Sequence, residues 1–268
     1  MVISNNPLST GSLNNTSSRI ETLFEQLSSA KQINSAADNA AGLAISTSFT
    51  TETQGNIQAI ENASTGISLA QTAAGSLETV TDNVQRIREL AVQAANGTYT
   101  DTQREAINAE AQLLIEDTTN ILEESNFNGV SLFDGDQAQV FQVGADAGDT
   151  LSVESNRLSD EIAELDFSSI DLSTIEGATA ALDISDSIID AVSATAAEYG
   201  AVQNRFESTI SSLEETVLNS IEATSRIQDT DYAEATSQLA SEQVKEKVGI
   251  AMQAQANADQ ETVLKLLG

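Results

Sequence analysis

Cysteine, histidine and tryptophan are absent from this chain, proline occurs once, at Pro7, and aromatic residues make up only 4% of it. Without thiols or imidazoles there is no disulfide, no thiolate nucleophile and no zinc site of the Cys/His kind. Most enzyme mechanisms are excluded with them. Basic residues are scarce too: 11 Lys and Arg stand against 41 Asp and Glu, a net charge of −30. Nucleic acid and anionic lipid are bound by clustered cations, so neither is an expected partner. No apolar run approaches the roughly 18 residues of a membrane helix. The opening stretch "MVISNNPLSTGSLNN" has neither the basic nor the apolar region of a secretory signal. The expectation is a soluble, non-enzymatic protein with no cofactor, no metal and no membrane insertion.

The acids are unevenly placed. Residues 132–190 carry fourteen acidic side chains and one basic one, whereas residues 1–50 are nearly neutral. A solvated face explains such a block, and adaptation to saline surroundings is the sharper reading. Asp134, Asp136, Asp146 and Asp149 lack the spacing of a calcium loop and read as turn and surface acids.

What remains is mostly helix. Ile20, Leu23, Phe24 and Leu27 follow the i, i+3, i+4, i+7 stripe of an amphipathic helix. A second stripe runs from Ile57 to about Ala95, with one phase shift near Leu77, and Asn96-Gly97 ends it. Thr100 with Gln103 forms a candidate capping box that opens a third helix along Ile107, Ala111, Leu114, Thr118 and Ile121. The period then changes. Asn128-Gly129 and Asp134-Gly135 are turn pairs, and residues 139–154 alternate as a β-hairpin does, through Val140, Gln142, Leu151 and Val153. Residues 157–176 are acidic and Ser-rich without a sustained period and read as a connector. From about Gly177 a helical stripe resumes for some fifty residues. Asp231 with Glu234 then caps a last helix on Ala240, Val244, Val248, Ala251, Gln255, Ala258, Val263 and Leu266.

This order predicts a mainly α fold: an elongated antiparallel bundle or coiled coil of long helices, a small β-hairpin region at about 130–156, and N- and C-termini paired at one end. Rods with one apolar face must bury it. The terminal helices are poor candidates for standing alone, because a pair rich in Ala, Ser and Gln buries little against an ordering cost of about 1–2 kcal/mol per residue. Packing of many copies would supply the missing contacts.

Four blocks in order, "SLNNTSSRIETLFEQLSSAKQINSAADNAAGLAIS" (12–46), "QRIRELAVQAANGTYT" (85–100), "FNGVSLFDG" (127–135) and "AMQAQANADQETVLKLLG" (251–268), make the chain resemble bacterial flagellin over nearly its whole length, in a short form without large outer domains. The resemblance implies a discontinuous inner-tube domain, 1–42 with 229–268, and a helical rod domain, 43–228, holding the hairpin region and the connector. It implies an assembly core of Ile20, Leu23, Phe24, Leu27, Val244, Val248, Met252, Val263 and Leu266. It also implies a junction segment at Ala36, Ala37, Ala40, Ala41 and Gly42, where small side chains let backbones approach. Many flagellins carry basic residues where this chain has Gln32, Ala37, Ser48 and Gln54, so ion pairs of relatives through those positions do not carry over.

By the same resemblance the chain is exported unfolded through the flagellar type III apparatus with an export chaperone. It then folds beneath a cap and polymerises, beside junction proteins, into an extracellular motility filament. Absence of cysteine and near-absence of proline suit that route. "QRIREL" resembles the pattern recognised by Toll-like receptor five, which implies receptor contacts at Arg86, Leu90 and Glu110. Family analogy makes Ser152, Ser155, Ser168 and Ser169, with Ser159 and Ser173, candidate O-glycosylation acceptors. The rival readings are a hook–filament junction-type protein and a non-filamentous coiled-coil adhesin.

Overall fold

The computed structural model describes residues 7–134, 138–154 and 157–267. Six helices carry the fold: α1 (Pro7–Ser29), α2 (Ala36–Ala94), α3 (Asp101–Glu124), α4 (Leu158–Glu164), α5 (Ile175–Gln228) and α6 (Tyr232–Leu267). Between α3 and α4 lie β1 (Asn126–Phe127), β2 (Val130–Ser131), β3 (Gln139–Gln142) and β4 (Thr150–Val153), and a 3₁₀ turn (Phe167–Ser169) follows α4. The chain divides into two compact units, Met1–Thr53 with Leu218–Gly268, and Gln54–Val217. Helices α2 and α5 each contribute to both.

The unit 54–217 has a continuous apolar core. From α2 it takes Leu69, Ala73, Leu77, Val80, Val84, Ile87, Leu90 and Ala94, spaced three and four apart, so one face of the helix is buried along its length. Ile107, Ala111, Ile115 and Leu122 of α3 and Ala181, Ile188, Val192, Tyr199 and Phe206 of α5 complete it. Surface pairs set the helices against one another: Arg88 Nε donates to Asp186 at 2.6 Å between α2 and α5, and Asn83 Nδ2 donates to Asp117 at 2.8 Å between α2 and α3. The capping box at α3 is complete, with Thr100 and Gln103 each accepting from the other's backbone N–H.

The β region comprises two hairpins. Asn128 (φ 54°) and Gly129 (φ 81°) supply the two positive φ values of a tight turn joining β1 and β2. In the second, Gln139 pairs with Val153 and Phe141 with Leu151. Phe141 therefore points inward and meets the Phe206 ring edge-on, centroids 5.3 Å apart, while Val140 lies on the solvent face, opposite Ser152. Alternation along the sequence puts Val140 and Gln142 on one face, because β3 starts and ends on glutamine with Val140 and Phe141 between them, so either face of that strand fits the pattern.

Residues 157–176 are more than a connector. Leu158, Ile162, Phe167, Ile170 and Leu172 are all buried in the core of this unit. The main chain is pinned to α3, where Leu172 N–H donates to Asn108 Oδ1 at 2.8 Å and Gln112 Nε2 donates to the Ile170 carbonyl at 2.6 Å. Short turns carrying one apolar anchor each leave no sustained period, which is why the Ser and Asp content dominated the sequence reading.

Helix α2 begins about twenty residues before the stripe at Ile57, and α5 runs through Gly200 unbroken. Residues 40–56 are rich in Ala, Ser and Thr, which leaves no bulky periodicity to read. The hydroxyls of Ser46, Thr50 and Thr51 are satisfied along the helix itself, as where Thr50 Oγ1 donates to the Ser46 carbonyl at 2.7 Å.

Candidate assembly surface

In the terminal unit, α1 and α6 run antiparallel. Residues 30–32 cross residues 228–230 at the base of the pair. There Gln32 N–H donates to the Gln228 carbonyl at 2.7 Å and Thr230 N–H to the Ala30 carbonyl at 3.0 Å, with a bridge between Lys31 and Asp229. Asp231 Oδ1 accepts from the N–H groups of Ala233 and Glu234, while Glu234 turns its carboxylate to Gln238; the box at α6 is thus half a box.

Among the described residues, the buried apolar residues of this unit are Ile20, Leu23, Ile33 and Ala235. The α6 face toward α1 is mostly polar or small: Ala235, Leu239, Glu242, Glu246 and Gly249, alternating in steps of four and three. The expected stripe lies elsewhere. Val244, Val248 and Met252, one turn apart, form a ridge that is 55–67% exposed, and Val263 is half exposed. On α1, Phe24 is 52% exposed although Ile20 and Leu23 are buried, and Leu27 is partly buried. The Leu266 side chain lies outside the described residues. Because α6 carries apolar side chains around most of its circumference, one partner helix cannot cover them. A ridge of this kind on a monomer marks a contact surface.

The segment 33–46 contains a break. Asn39 leaves the helical region (φ −162°, ψ 95°) and its Oδ1 accepts from the Gly42 N–H at 2.9 Å, capping the long helix that follows. Asp38 closes the turn before it by accepting from the N–H groups of Ser35 (2.8 Å) and Asn34 (3.0 Å), and these bonds hold its carboxyl below the ordinary carboxylate range. Ala36, Ala37, Ala40 and Ala41 are exposed in the subunit. Close approach occurs at Gly42, where a Cβ would lie 2.7 Å from Ile33 Cδ1.

The three candidate receptor contacts do not share a surface. Leu90 is 2% exposed and belongs to the core of its own subunit. Four residues of separation bring two side chains near one another, but Leu90 turns into the core and Arg86 lies at its rim. Arg86 and Glu110 remain outside as a pair: Nε and Nη2 of Arg86 donate to Glu110 Oε1 at 3.0 and 2.7 Å, Nη1 donates to Glu89 at 3.0 Å, and the guanidinium is pushed up by both partners. Ser152, Ser168 and Ser169 are exposed, and Ser155 lies outside the described residues.

Nothing among the described residues assembles a catalytic constellation. A cleft of about 290 Å³ lined by Glu154, Glu198, Tyr199 and Arg205 lies between β4 and α5, and the Tyr199 hydroxyl there donates to the Leu132 carbonyl at 2.8 Å, a structural bond. Among the described residues no group of three or more acidic side chains is placed to hold a metal, and no helix is long and apolar enough to cross a membrane.

A helical subunit with one finished core and one uncovered helix pair belongs to the class of proteins that present a helical contact surface to partners. The bacterial flagellin N-terminal helical region matches residues 3–138 and the C-terminal helical region matches residues 182–267. A flagellin of Halalkalibacterium halodurans is 40% identical over 256 residues, covering 91% of this chain and 90% of that one. The flagellar filament core protein flaB2 of Brachyspira hyodysenteriae is 35% identical over 255 residues, 90% of each. The chain belongs to the bacterial flagellin family, and its role is structural, that of a flagellar filament subunit. A putative flagellar hook-associated protein from Vibrio parahaemolyticus shares the fold, with a TM-score of 0.61 over 72% of this chain and all of that chain, at 15% identity. Fold alone therefore does not separate filament subunits from hook-associated proteins; the sequence matches do.

Proposed function

We propose that the chain is exported unfolded through the flagellar type III apparatus and polymerises outside the cell into a propeller-like filament. Residues 1–42 and 229–268 form the inner tube and residues 43–228 the surrounding rod. The ridge of Val244, Val248 and Met252, exposed like Phe24 in a unit that buries few apolar residues of its own, is the observation that carries this reading. Copies packed around one axis cover the ridge, and ordering of the ends is coupled to that burial. Cap, junction proteins and export chaperone are the transient partners. Electron microscopy of purified protein, alone and on filament seeds, tests it. Long tubes are expected; a junction-type protein stops at short oligomers and an adhesin forms none, and either result overturns the proposal.

A second reading rests on the exposed Arg86–Glu110 pair. The monomer binds Toll-like receptor five through this pair, and the filament, whose rods pack together, does not. The Arg86→Asp variant is expected to lose binding by about tenfold or more, as for a hot-spot arginine; binding equal to the parent's sinks this reading. Ser152, Ser168 and Ser169 are exposed acceptors for O-glycans, and intact-mass measurement of filaments from the native cell checks them.

A further inference from the structure

The α1–α6 seam holds a carboxylate where a coiled coil ordinarily places a leucine. Glu242 is 4% exposed. Its Oε1 accepts from Lys245 Nζ of the same helix at 3.1 Å and lies 3.4 Å from Arg19 Nη1 of α1, and both cations extend into solvent. Around it the pairing is consistent: Tyr232 OH donates to the Leu27 carbonyl at 3.1 Å, Ser17 Oγ donates to Glu246 at 3.4 Å, and a Cβ on Gly249 would lie 3.0 Å from Leu13 Cδ1.

We propose that Glu242, clasped across the seam by Arg19, sets the register in which the two terminal helices pair, and so aligns the outward ridge identically in every subunit. The inference rests on the filament reading. A polar seam offers few large apolar knobs, so greasy complementarity distinguishes poorly between registers one turn apart. Sliding α6 by one turn, about 3.6 residues, in one direction sets the carboxylate against Leu23 with no cation from α1, leaving only Lys245 of its own helix beside it. Sliding it in the other takes Glu242 away from Arg19 and Gly249 away from Leu13. A single buried polar group fixing register at some expense of stability is a known use of such groups.

Because the chain has no cysteine, disulfide trapping reads the register directly. One reporter carries Ser17→Cys with Glu246→Cys, the pair in contact; the other carries Ser17→Cys with Ile250→Cys, the pair brought together by a one-turn slip. In filaments grown from parent reporters, the contact pair is expected to cross-link about tenfold faster than the slipped pair. Adding Glu242→Leu is expected to reduce the ratio to about threefold or less, since an apolar seam residue accepts either register. Glu242→Gln, which keeps an acceptor for Arg19, is expected to preserve most of it. Arg19→Met reads the same ratio with Glu242 in place, and serves if the leucine variant does not elongate. A ratio unchanged in both Glu242→Leu and Arg19→Met overturns the inference. Failure of the parent to form tubes overturns the filament reading instead.

Discussion

The two units of this subunit are both helical and share α2 and α5, yet they bury their side chains very differently. Within 54–217, α2, α3, α5, the segment after β2 and the short turns at 158–172 all send apolar residues into one core, including Phe133, Phe167 and Phe206 at full burial. Within the terminal unit, four described apolar residues are buried while Phe24, Val244, Val248, Ile250 and Met252 face outward. Helix content is therefore no guide to autonomy. A helix stays formed when its apolar face has a partner, and in the terminal unit most of that face has none inside one chain.

Substitutions separate the units most sharply. Phe206→Ala opens a cavity in a complete core and is expected to destabilise the monomer by about 3–5 kcal/mol, a loss read in its denaturant midpoint. Phe24→Ala and Val248→Ala should leave that midpoint nearly unmoved, because their surface is already hydrated, and should raise the concentration needed for seeded elongation about tenfold or more. Equal effects of Phe24→Ala and Phe206→Ala on the monomer would erase the contrast.

Hydrogen exchange sharpens the comparison without mutation. In dilute subunit, amides of 12–27 and 235–255 are expected to exchange about a thousandfold faster than those of 77–91 and 188–206, and to become protected on assembly. Protection of both sets alike in the monomer contradicts the coupling of order to polymerisation.

Salt should act on the polymer and spare the subunit. At −30 per chain, neighbours repel over a Debye length that falls to about 8 Å at 0.15 M and 3 Å at 1 M. Filaments are expected to melt several degrees higher in 1 M than in 10 mM NaCl, with a smaller shift for the monomer; identical filament melting at both removes the link to saline surroundings.

The smallest effect is acid sensitivity. Asp186 is held below its ordinary range by the hydrogen bond from Arg88. A lowered carboxyl contributes stability that is present above the ordinary aspartate value and is lost as pH falls through the lowered one. Melting of the monomer should therefore decline below about pH 4. Asp186→Asn should blunt that decline slightly, since the pair is exposed. An unchanged acid profile for that variant would show the Arg88 pair to be without weight.

How far these features could be read from the residues depends on their period. The stripe Val80, Val84, Ile87 and Ala91, the Thr100–Gln103 box and the Asn128-Gly129 turn are local, and the fold places them as the spacing implies. The α6 seam at 235, 239, 242, 246 and 249 was missed because its residues are polar or small, although its steps of four and three are heptad-like. The ridge at Val244 and Val248 was visible; that it faces away from α1 was not.

The residues by themselves determined that this is a cysteine-free, strongly anionic helical polypeptide with flagellin-like ends, because composition, caps and helical period are properties of neighbours along the chain. Which face of each helix is covered, where Leu90 and Phe141 point, and that 157–172 completes a core were decided by tertiary packing. Burial depends on what lies across from a side chain, and that partner is far away in the sequence.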